Sequence, residues 1–447
     1  MPITPTTGRY LVLLCQDRRQ EGLDQLAGIV QVEVAASTGA RRSARSATLR
    51  PGCALVFDRI GVAVVHCPPD KPDLLAGLAS GPDSAVLAVE PERMVYATVR
   101  RQRVSIPTPV ETPSPLEAPP TRFPPKDPVL LAAYLQGYRD GVDDLARRLH
   151  QIPDTQRDTV DAFDESTATW GVQAVGADKS RYSGKGVRIA ILDTGLDLKH
   201  PDFADRQIAS RSFIEGQTAQ DGNGHGTHCA GIAAGSARPG SGARYGVAGD
   251  ARLHIGKVLS DEGSGGDGAV LEGIDWAISK GCQIISMSLG SPVQPRQAYS
   301  RVFEEVARRA LAAGSVIIAA AGNDSNRPDD IAPVSHPANC PSIMAVAALD
   351  NSLAVAPFSS GGIEPGGGEV DIAAPGVDIL SSWPAPEHYN RISGTSMATP
   401  FVAGVAALRA QADKRMRGEA LLASLTQTAR PLDAPARDVG AGIVQAP

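Results

Sequence analysis

The sequence is poor in aromatic residues, which make up 4% of its 447 positions. Because 42% of the residues are hydrophobic, its core must be built mainly from Ala, Val, Leu and Ile. No segment approaches the roughly 18 apolar residues that a membrane helix needs, so we expect no membrane partner. The N-terminus also lacks a basic start followed by a long apolar stretch, the pattern of a secretory signal. The simplest expectation is a cytoplasmic protein.

Cysteines are few and unpaired in sequence. None of the six forms a CxxC motif, which argues against a zinc site or a thioredoxin-like motif. Three lie in each half of the chain, and we interpret them as mostly free, buried thiols in a reducing compartment. The net charge of −6 gives no general attraction to nucleic acid or to an anionic membrane.

Residues 1–104 are predicted to form a small α+β unit. Strand candidates at 10–15, 54–58, 62–67 and 85–89 alternate with helix candidates at 17–30 and 69–79. The order strand, helix, two strands, helix, strand is typical of a split βαβ (ferredoxin-like) sandwich.

Two connecting segments and a larger domain follow. Residues 105–128 are rich in proline, which blocks helix and sheet and predicts an extended linker. Residues 129–165 are predicted to be a helical connector, because 129–150 space their apolar positions as a helix does. From 166 to 447, strands and helices alternate, which indicates an α/β fold: a parallel sheet flanked by helices.

Polar residues follow several of these predicted elements. Asp193 follows the strand VRIAIL, and Asn323 ends the run VIIAAAGN. His225 lies in DGNGHGTHCAGIAAG, where His228 is the competing candidate and is better interpreted as a buried, hydrogen-bonded support. Ser396 opens a helix in SGTSMATPFVAGVAAL. Each alone has a structural explanation, such as a turn Asn or a helix-capping Ser.

Together and in this order, the blocks ILDTG, HGTHCAG, AAGN and GTSMATP resemble the signatures of the subtilisin-like serine proteases, the subtilases. The resemblance covers residues 166–447. It implies a serine endopeptidase in which Ser396 is the nucleophile, His225 the general base and Asp193 the residue that orients His225. The amide of Asn323 and the backbone N–H of Ser396 would form the oxyanion hole.

The resemblance also implies a cleft for an extended protein or peptide substrate. One edge would be Gly263, Ser264 and Gly265, and the opposite edge Ser288, Leu289 and Gly290. The N-terminal unit resembles the family's inhibitory prodomain by layout. It would assist folding and cover the cleft near residues 93–98, so that the protein is made as a zymogen. A long spacer separates it from the catalytic domain, so either cleavage occurs in the spacer or the unit is retained as a regulator or binder.

The grounds for a metal are weaker than in many subtilases. Asp202 matches the first element of the family's calcium site, but the loop GSARPGSGARYGVAG offers no Asn or Asp before Asp250. We expect no cofactor. Cys229 directly follows HGTH, where some subtilases carry a cysteine beneath the histidine; it is equally a small buried hydrophobe.

Two other functions fit the same fold. One is a peptide-binding scaffold that has kept the fold, which the four intact blocks disfavour. The other is a peptide-bond-forming enzyme, which the absence of an inserted cap to exclude water disfavours.

Overall fold

A computed structural model describes residues 5–34, 49–81, 84–97, 163–204, 206–363 and 367–447. The predicted linker at 105–128 and the helix at 129–150 lie outside these residues, and the domain limits stay predictions.

The N-terminal unit contains a five-stranded portion of one sheet with two helices. Its strands lie side by side in the order β5-β1-β4-β3-β2. Neighbouring strands are antiparallel except for β2 and β3. The elements are β1 (Thr6–Leu14), α1 (Arg19–Ala27), β2 (Gln31–Val34), β3 (Cys53–Phe57), β4 (Val62–Val65), α2 (Pro72–Gly77), a 3₁₀ turn (Leu78–Ser80) and β5 (Val86–Ala97).

Four of these strands have the order of a split βαβ sandwich, as the sequence predicts. Two features differ from the prediction. The edge strand β2 was not predicted, and β5 runs on to Ala97 rather than ending near residue 89. The extension matters because its last residues leave the N-terminal unit and pair with the larger domain.

Both faces of this small sheet are buried, so its strands carry apolar side chains on both sides. Alternate residues face opposite clusters. One face joins the main core of the larger domain through Leu11, Leu13, Leu55, Phe57, Val62 and Val64. The other packs with the unit's own helices through Val12, Leu14, Ala54, Val56, Ala63 and Val65.

The larger domain is built on a seven-stranded sheet with the order β14-β13-β12-β10-β6-β8-β7. All neighbouring pairs are parallel. The central strands are short apolar runs, as expected where helices cover a parallel sheet. They are β6 (Arg188–Asp193), β7 (Ala209–Ser212), β8 (Arg252–Lys257), β10 (Ile284–Met287), β12 (Val316–Ala320), β13 (Met344–Leu349) and β14 (Ile372–Pro375).

Helices and four short strands complete this domain. The helices are α3 (Trp170–Ala174), a 3₁₀ turn (Pro201–Phe203), α4 (His225–Ala234), α5 (Asp267–Ser279), α6 (Arg301–Ala312), α7 (Thr395–Ala412), α8 (Glu419–Gln427) and α9 (Ala436–Val439). The remaining strands are β9 (Ser264–Gly266), β11 (Leu289–Gly290), β15 (Ile379–Ser382) and β16 (Tyr389–Ile392). The α/β class with a parallel sheet is therefore confirmed.

The chain order of the strands reverses at β6. Its neighbours are β8 on one side and β10 on the other, and both follow it in the chain. Ligands of such sheets bind at the carboxyl ends of the strands where the order reverses. Asp193 is the last residue of β6, so it lies at this point.

The strand β5 links the N-terminal unit to the larger domain. Met94, Val95 and Tyr96 pair with β9, while Tyr96 and Ala97 pair with β11, both antiparallel. The end of β5 is therefore the middle strand between two edges of the larger domain.

The buried face of the small sheet predicts a large difference between two leucines. Leu55→Ala opens a cavity and should lower the free energy of unfolding by about 2–5 kcal/mol. Leu74→Ala removes a side chain that is 61% exposed and should change it by less than about 0.5 kcal/mol. Denaturant unfolding of the full chain measures both changes in the free energy of unfolding. Equal changes would contradict the burial of Leu55 in the core.

Candidate active site

Asp193 and His225 form a short, buried hydrogen bond. The distance from His225 Nδ1 to Asp193 Oδ1 is 2.6 Å, and each side chain is 1% exposed. His225 is the first residue of α4, after Gly224 with φ of 104°. A Cβ at Gly224 would lie 2.5 Å from the Trp383 ring, so only glycine fits there. The helix start thus fixes the ring beside Asp193.

The electrostatics of His225 are dominated by two opposing effects. Burial is the largest effect and disfavours the charged ring, but the charge and hydrogen bond of Asp193, together with Cys229, hold the pKa of His225 well above its usual value. Asp193 Oδ1 also accepts a hydrogen bond from the backbone N–H of Thr194 at 2.7 Å. The arrangement favours a proton on Nδ1 and stabilises the imidazolium once Nε2 takes a second proton.

Asp221 holds the loop before His225, a role that the sequence analysis missed. Its Oδ1 accepts hydrogen bonds from the Thr194 hydroxyl and the Gly224 N–H, both at 2.9 Å. Its Oδ2 accepts from the Thr227 N–H at 2.9 Å and the Thr227 hydroxyl at 2.7 Å. An acidic residue shortly before a helix start is a capping signal, which could have identified it.

Ser396 lies in the first turn of α7 and is fully buried. Its hydroxyl donates to the Ser288 carbonyl at 3.1 Å, and its carbonyl accepts from the Ser288 hydroxyl at 2.8 Å. Within the described residues, His225 Nε2 is buried and has no hydrogen-bond partner. Transfer of the serine proton to His225 would therefore need the hydroxyl to turn away from Ser288.

Cys229 connects the histidine and the serine. Its sulfur lies 3.9 Å from His225 Nδ1 and 3.6 Å from the Ser396 carbonyl oxygen. Burial raises the pKa of the Cys229 thiol, so it is a neutral group at this position. Asp193, His225 and Ser396 are thus brought to one place around a single small side chain.

His228 has the supporting position that the sequence predicts. Its Nε2 lies 3.0 Å from the Ile379 carbonyl and 3.1 Å from the Asn390 carbonyl. Burial lowers the pKa of His228 to about 3, so the ring is neutral. It links α4 to the β15–β16 pair.

Asn323 is fixed to the start of the serine helix. Its Oδ1 accepts hydrogen bonds from the backbone N–H and the hydroxyl of Thr395, both at 2.9 Å. Because Thr395 immediately precedes Ser396, the side chain of Asn323 keeps a set orientation relative to the serine. The amide nitrogen is the donor group of this side chain.

The predicted cleft residues all lie on the two edges that hold β5. Ser264 and Gly265 belong to β9, and the carbonyl of Gly263 accepts from the Ala97 N–H at 2.9 Å. On the opposite edge, Leu289 and Gly290 form β11, and Ser288 precedes them.

The surroundings of Asp202 do not fit a calcium ion. Its carboxylate accepts hydrogen bonds from the Tyr245 hydroxyl at 2.5 Å and the Tyr389 hydroxyl at 3.2 Å, and from the Gly240 N–H at 3.1 Å. Burial and then Asp202 raise the pKa of Tyr245, so its hydroxyl stays a donor. Calcium needs six or more oxygen ligands, whereas hydrogen-bond donors surround this carboxylate.

A buried Asp–His pair at the carboxyl ends of a parallel sheet, near a serine at the start of a helix, is an arrangement typical of serine hydrolases. A profile of the subtilase family matches residues 184–442. The chain is 38% identical over 246 residues to subtilisin DY of Bacillus licheniformis, covering 54% of this chain and 84% of that protein. It is 41% identical over 237 residues to subtilisin E of Bacillus subtilis (strain 168), covering 53% of this chain and 58% of that protein.

A third relative is M-protease of Shouchella clausii (strain KSM-K16), 41% identical over 243 residues, covering 54% of this chain and 58% of that protein. The chain therefore belongs to the subtilase family, and the resemblance found in its sequence is confirmed. These relatives put it among the subtilisin-like serine endopeptidases. Among the described helices, none is long and apolar enough to cross a membrane.

The Asp193–His225 bond predicts a specific pH effect. The neutral form of His225 is the base, so kcat/KM should rise with pH through a pKa above the usual value of about 6.5. Asp193→Asn should lower kcat roughly 10⁴-fold, because the ring loses its orienting charge, and should move the rise to lower pH. A pH profile of peptide hydrolysis measures both; an unshifted profile in the variant would contradict the assignment.

The tyrosine contacts of Asp202 predict stability without calcium. Chelator should leave the melting temperature of the full chain unchanged. Tyr245→Phe should destabilise it by about 1–3 kcal/mol, because the carboxylate loses a donor. Tyr182→Phe, at a half-buried tyrosine, is the matched control. A melting temperature that falls with chelator and returns with calcium would refute this interpretation.

Proposed function

We propose that this protein is an endopeptidase that hydrolyses peptide bonds through Asp193, His225 and Ser396, and that it is made as a zymogen inhibited by its N-terminal unit. The observation that carries the proposal is the buried 2.6 Å hydrogen bond between Asp193 and His225, with Cys229 in contact with both His225 and the Ser396 carbonyl.

The chemistry follows from these groups. The Ser396 hydroxyl turns from the Ser288 carbonyl to His225 Nε2 and gives up its proton as Oγ bonds to the substrate carbonyl carbon. His225 then protonates the amine as the peptide bond breaks, which leaves an ester on Ser396. Water attacks this ester with His225 again as base, and the serine is regenerated. Asp193 stabilises the imidazolium in both halves.

Developing negative charge on the carbonyl oxygen needs donors that are already in place. The Ser396 N–H belongs to the first turn of α7, the end of a helix at which backbone N–H groups are directed at bound anions. The Asn323 amide is oriented through Thr395. Losing one such side-chain donor costs roughly 10²–10³-fold in kcat, a figure that comes from subtilisin itself.

The N-terminal unit covers the cleft as a substrate would. Val95 lies opposite Gly265 and Tyr96 opposite Gly290, in antiparallel register. Val95 is fully buried between the edges. Main-chain pairing of this kind supplies affinity, while pockets for alternate side chains supply specificity.

Two acidic residues of β5 also cap helices of the larger domain. Glu90 accepts hydrogen bonds from the Arg301 N–H at 2.7 Å and the Ser300 hydroxyl at 2.6 Å, at the start of α6. Glu92 accepts from the Gly268 N–H at 2.8 Å, at the start of α5. Negative charge at a helix N-terminus is stabilising, so both contacts support binding of the unit and assembly of the two helices.

Arg309 adds a contact from the opposite direction. This buried α6 side chain donates to the Ile60 carbonyl at 2.5 Å and to the Leu14 carbonyl at 3.1 Å. Gly61 has φ of 59°, and a Cβ there would lie 2.1 Å from Arg309 Nη1. The N-terminal unit thus supplies two main-chain acceptors to a buried cation, whose Nε also pairs with Glu305 at 3.0 Å.

The register indicates which bond is cleaved. Ala97 lies opposite Leu289. The carbonyl of Ser288, the residue before Leu289, accepts a hydrogen bond from the Ser396 hydroxyl. In a substrate strand bound in this register, the residue at the place of Ala97 is therefore the second one on the N-terminal side of the scissile bond. The same count predicts processing of this chain after Thr98, which lies outside the described residues.

A cytoplasmic location is a further proposal. All six cysteines lie in the described part of the chain and are free thiols. Five of the six are buried, as expected for a protein from a reducing compartment.

Self-processing tests the proposed function. Purified full chain should convert to fragments whose masses correspond to cleavage after Thr98. Ser396→Ala should remain intact, because the hydroxyl that attacks is absent. Ser393→Ala, three residues earlier, is the matched control and should process normally. Identical processing of the Ser396→Ala protein would show that another enzyme or another residue makes the cut.

A further inference from the structure

One polar pair at the end of the cleft is not used by the chemistry above. Asp267 is the first residue of α5, directly after the cleft edge β9. His336 forms two backbone hydrogen bonds with Ser291, directly after the opposite edge β11. His336 Nε2 lies 3.0 Å from Asp267 Oδ1, and the two side chains are 0% and 1% exposed. The pair therefore closes the cleft by joining its two edges.

The contacts define the hydrogen positions on His336. A proton on Nε2 faces the carboxylate, so Nδ1 is an acceptor. Arg93 Nη1 lies 3.0 Å from this nitrogen. The ring itself is held by Phe303, whose centroid is 4.7 Å away in an edge-on arrangement. An imidazole oriented by a carboxylate thus presents its lone pair to a cationic side chain.

Asp267 also contacts the main chain of the bound strand. Its second oxygen, Oδ2, accepts from the Arg93 N–H at 3.1 Å. The Asp–His pair therefore contacts both the backbone and the side chain of one residue of β5. An acidic residue beside the imidazole favours a positive side chain at Nδ1.

We propose that Asp267 and His336 form a binding site for a basic side chain, and that they select peptide substrates with arginine six residues before the scissile bond. The count follows from the register, in which Ala97 occupies the second position and Arg93 the sixth. The proposal rests on the proposed function, because only a cleaving enzyme has a scissile bond from which to count. Arg93 of the N-terminal unit occupies the site until a substrate replaces it.

Quenched fluorescent peptides test this selection. Each carries the chain's own residues 93 to 99, with Arg, Gln or Glu at the first of them, and mass spectrometry confirms the cleaved bond. The full chain is first incubated until its activity reaches a plateau. A charge-assisted hydrogen bond at a partly exposed site should raise kcat/KM for the Arg peptide roughly tenfold over Gln, mainly through KM. Glu should be poorest because of Asp267.

Variants of the enzyme assign the preference to the pair. His336→Phe keeps an aromatic ring beside Phe303 but removes the acceptor, so the Arg-to-Gln ratio should fall towards one. His254→Phe, at a histidine of β8 away from the cleft, should retain the ratio. If His336→Phe does not fold, the Arg, Gln and Glu peptides with the unmodified protein still test the preference for a basic side chain.

The possible failures are distinguishable. Equal kcat/KM for Arg and Gln peptides, cut at the same bond, would overturn the basic site while leaving the proposed function standing. If neither the peptides nor the chain itself is cleaved, the proposed function is wrong, and the proposed site is wrong with it.

Discussion

The hydrogen bond between Asp193 and His225 depends on three separate parts of the fold. Asp193 must end the strand at which the sheet order reverses, and His225 must begin a helix 32 residues later. Asp221 and Gly224 fix the loop between them, the first by accepting hydrogen bonds and the second by tolerating positive φ beside Trp383. Ser396 lies in the first turn of α7, and its carbonyl oxygen contacts Cys229. A shift in any one of these elements would separate groups that act only together.

The end of β5 makes two kinds of contact with the larger domain. Its main chain completes a strand between the cleft edges, and Glu90 and Glu92 cap the two helices that pack on the unit. The contacts that would block the cleft are therefore continuous with those that would stabilise α5 and α6 during folding. Inhibition and assistance in folding would then have the same structural origin.

The sequence predicted what local pattern determines. The blocks around Asp193, His225, Asn323 and Ser396 combine a strand end or helix start with a chemically distinctive side chain, and the structure brings these regions together. The strand β2 and the extension of β5 were missed, because pairing with neighbouring strands rather than their own pattern defines them. Arg93 and His336 are 243 residues apart, and no local pattern predicts such a contact.

The most direct measurement is to label the active protein with a fluorophosphonate, which forms a bond with an activated serine, and to locate the adduct by peptide mass. If Ser396 is the nucleophile, the adduct is found on Ser396 alone, and Asp193→Asn slows its formation. An adduct on a different residue, or no adduct in protein that still hydrolyses peptides, would contradict the assignment.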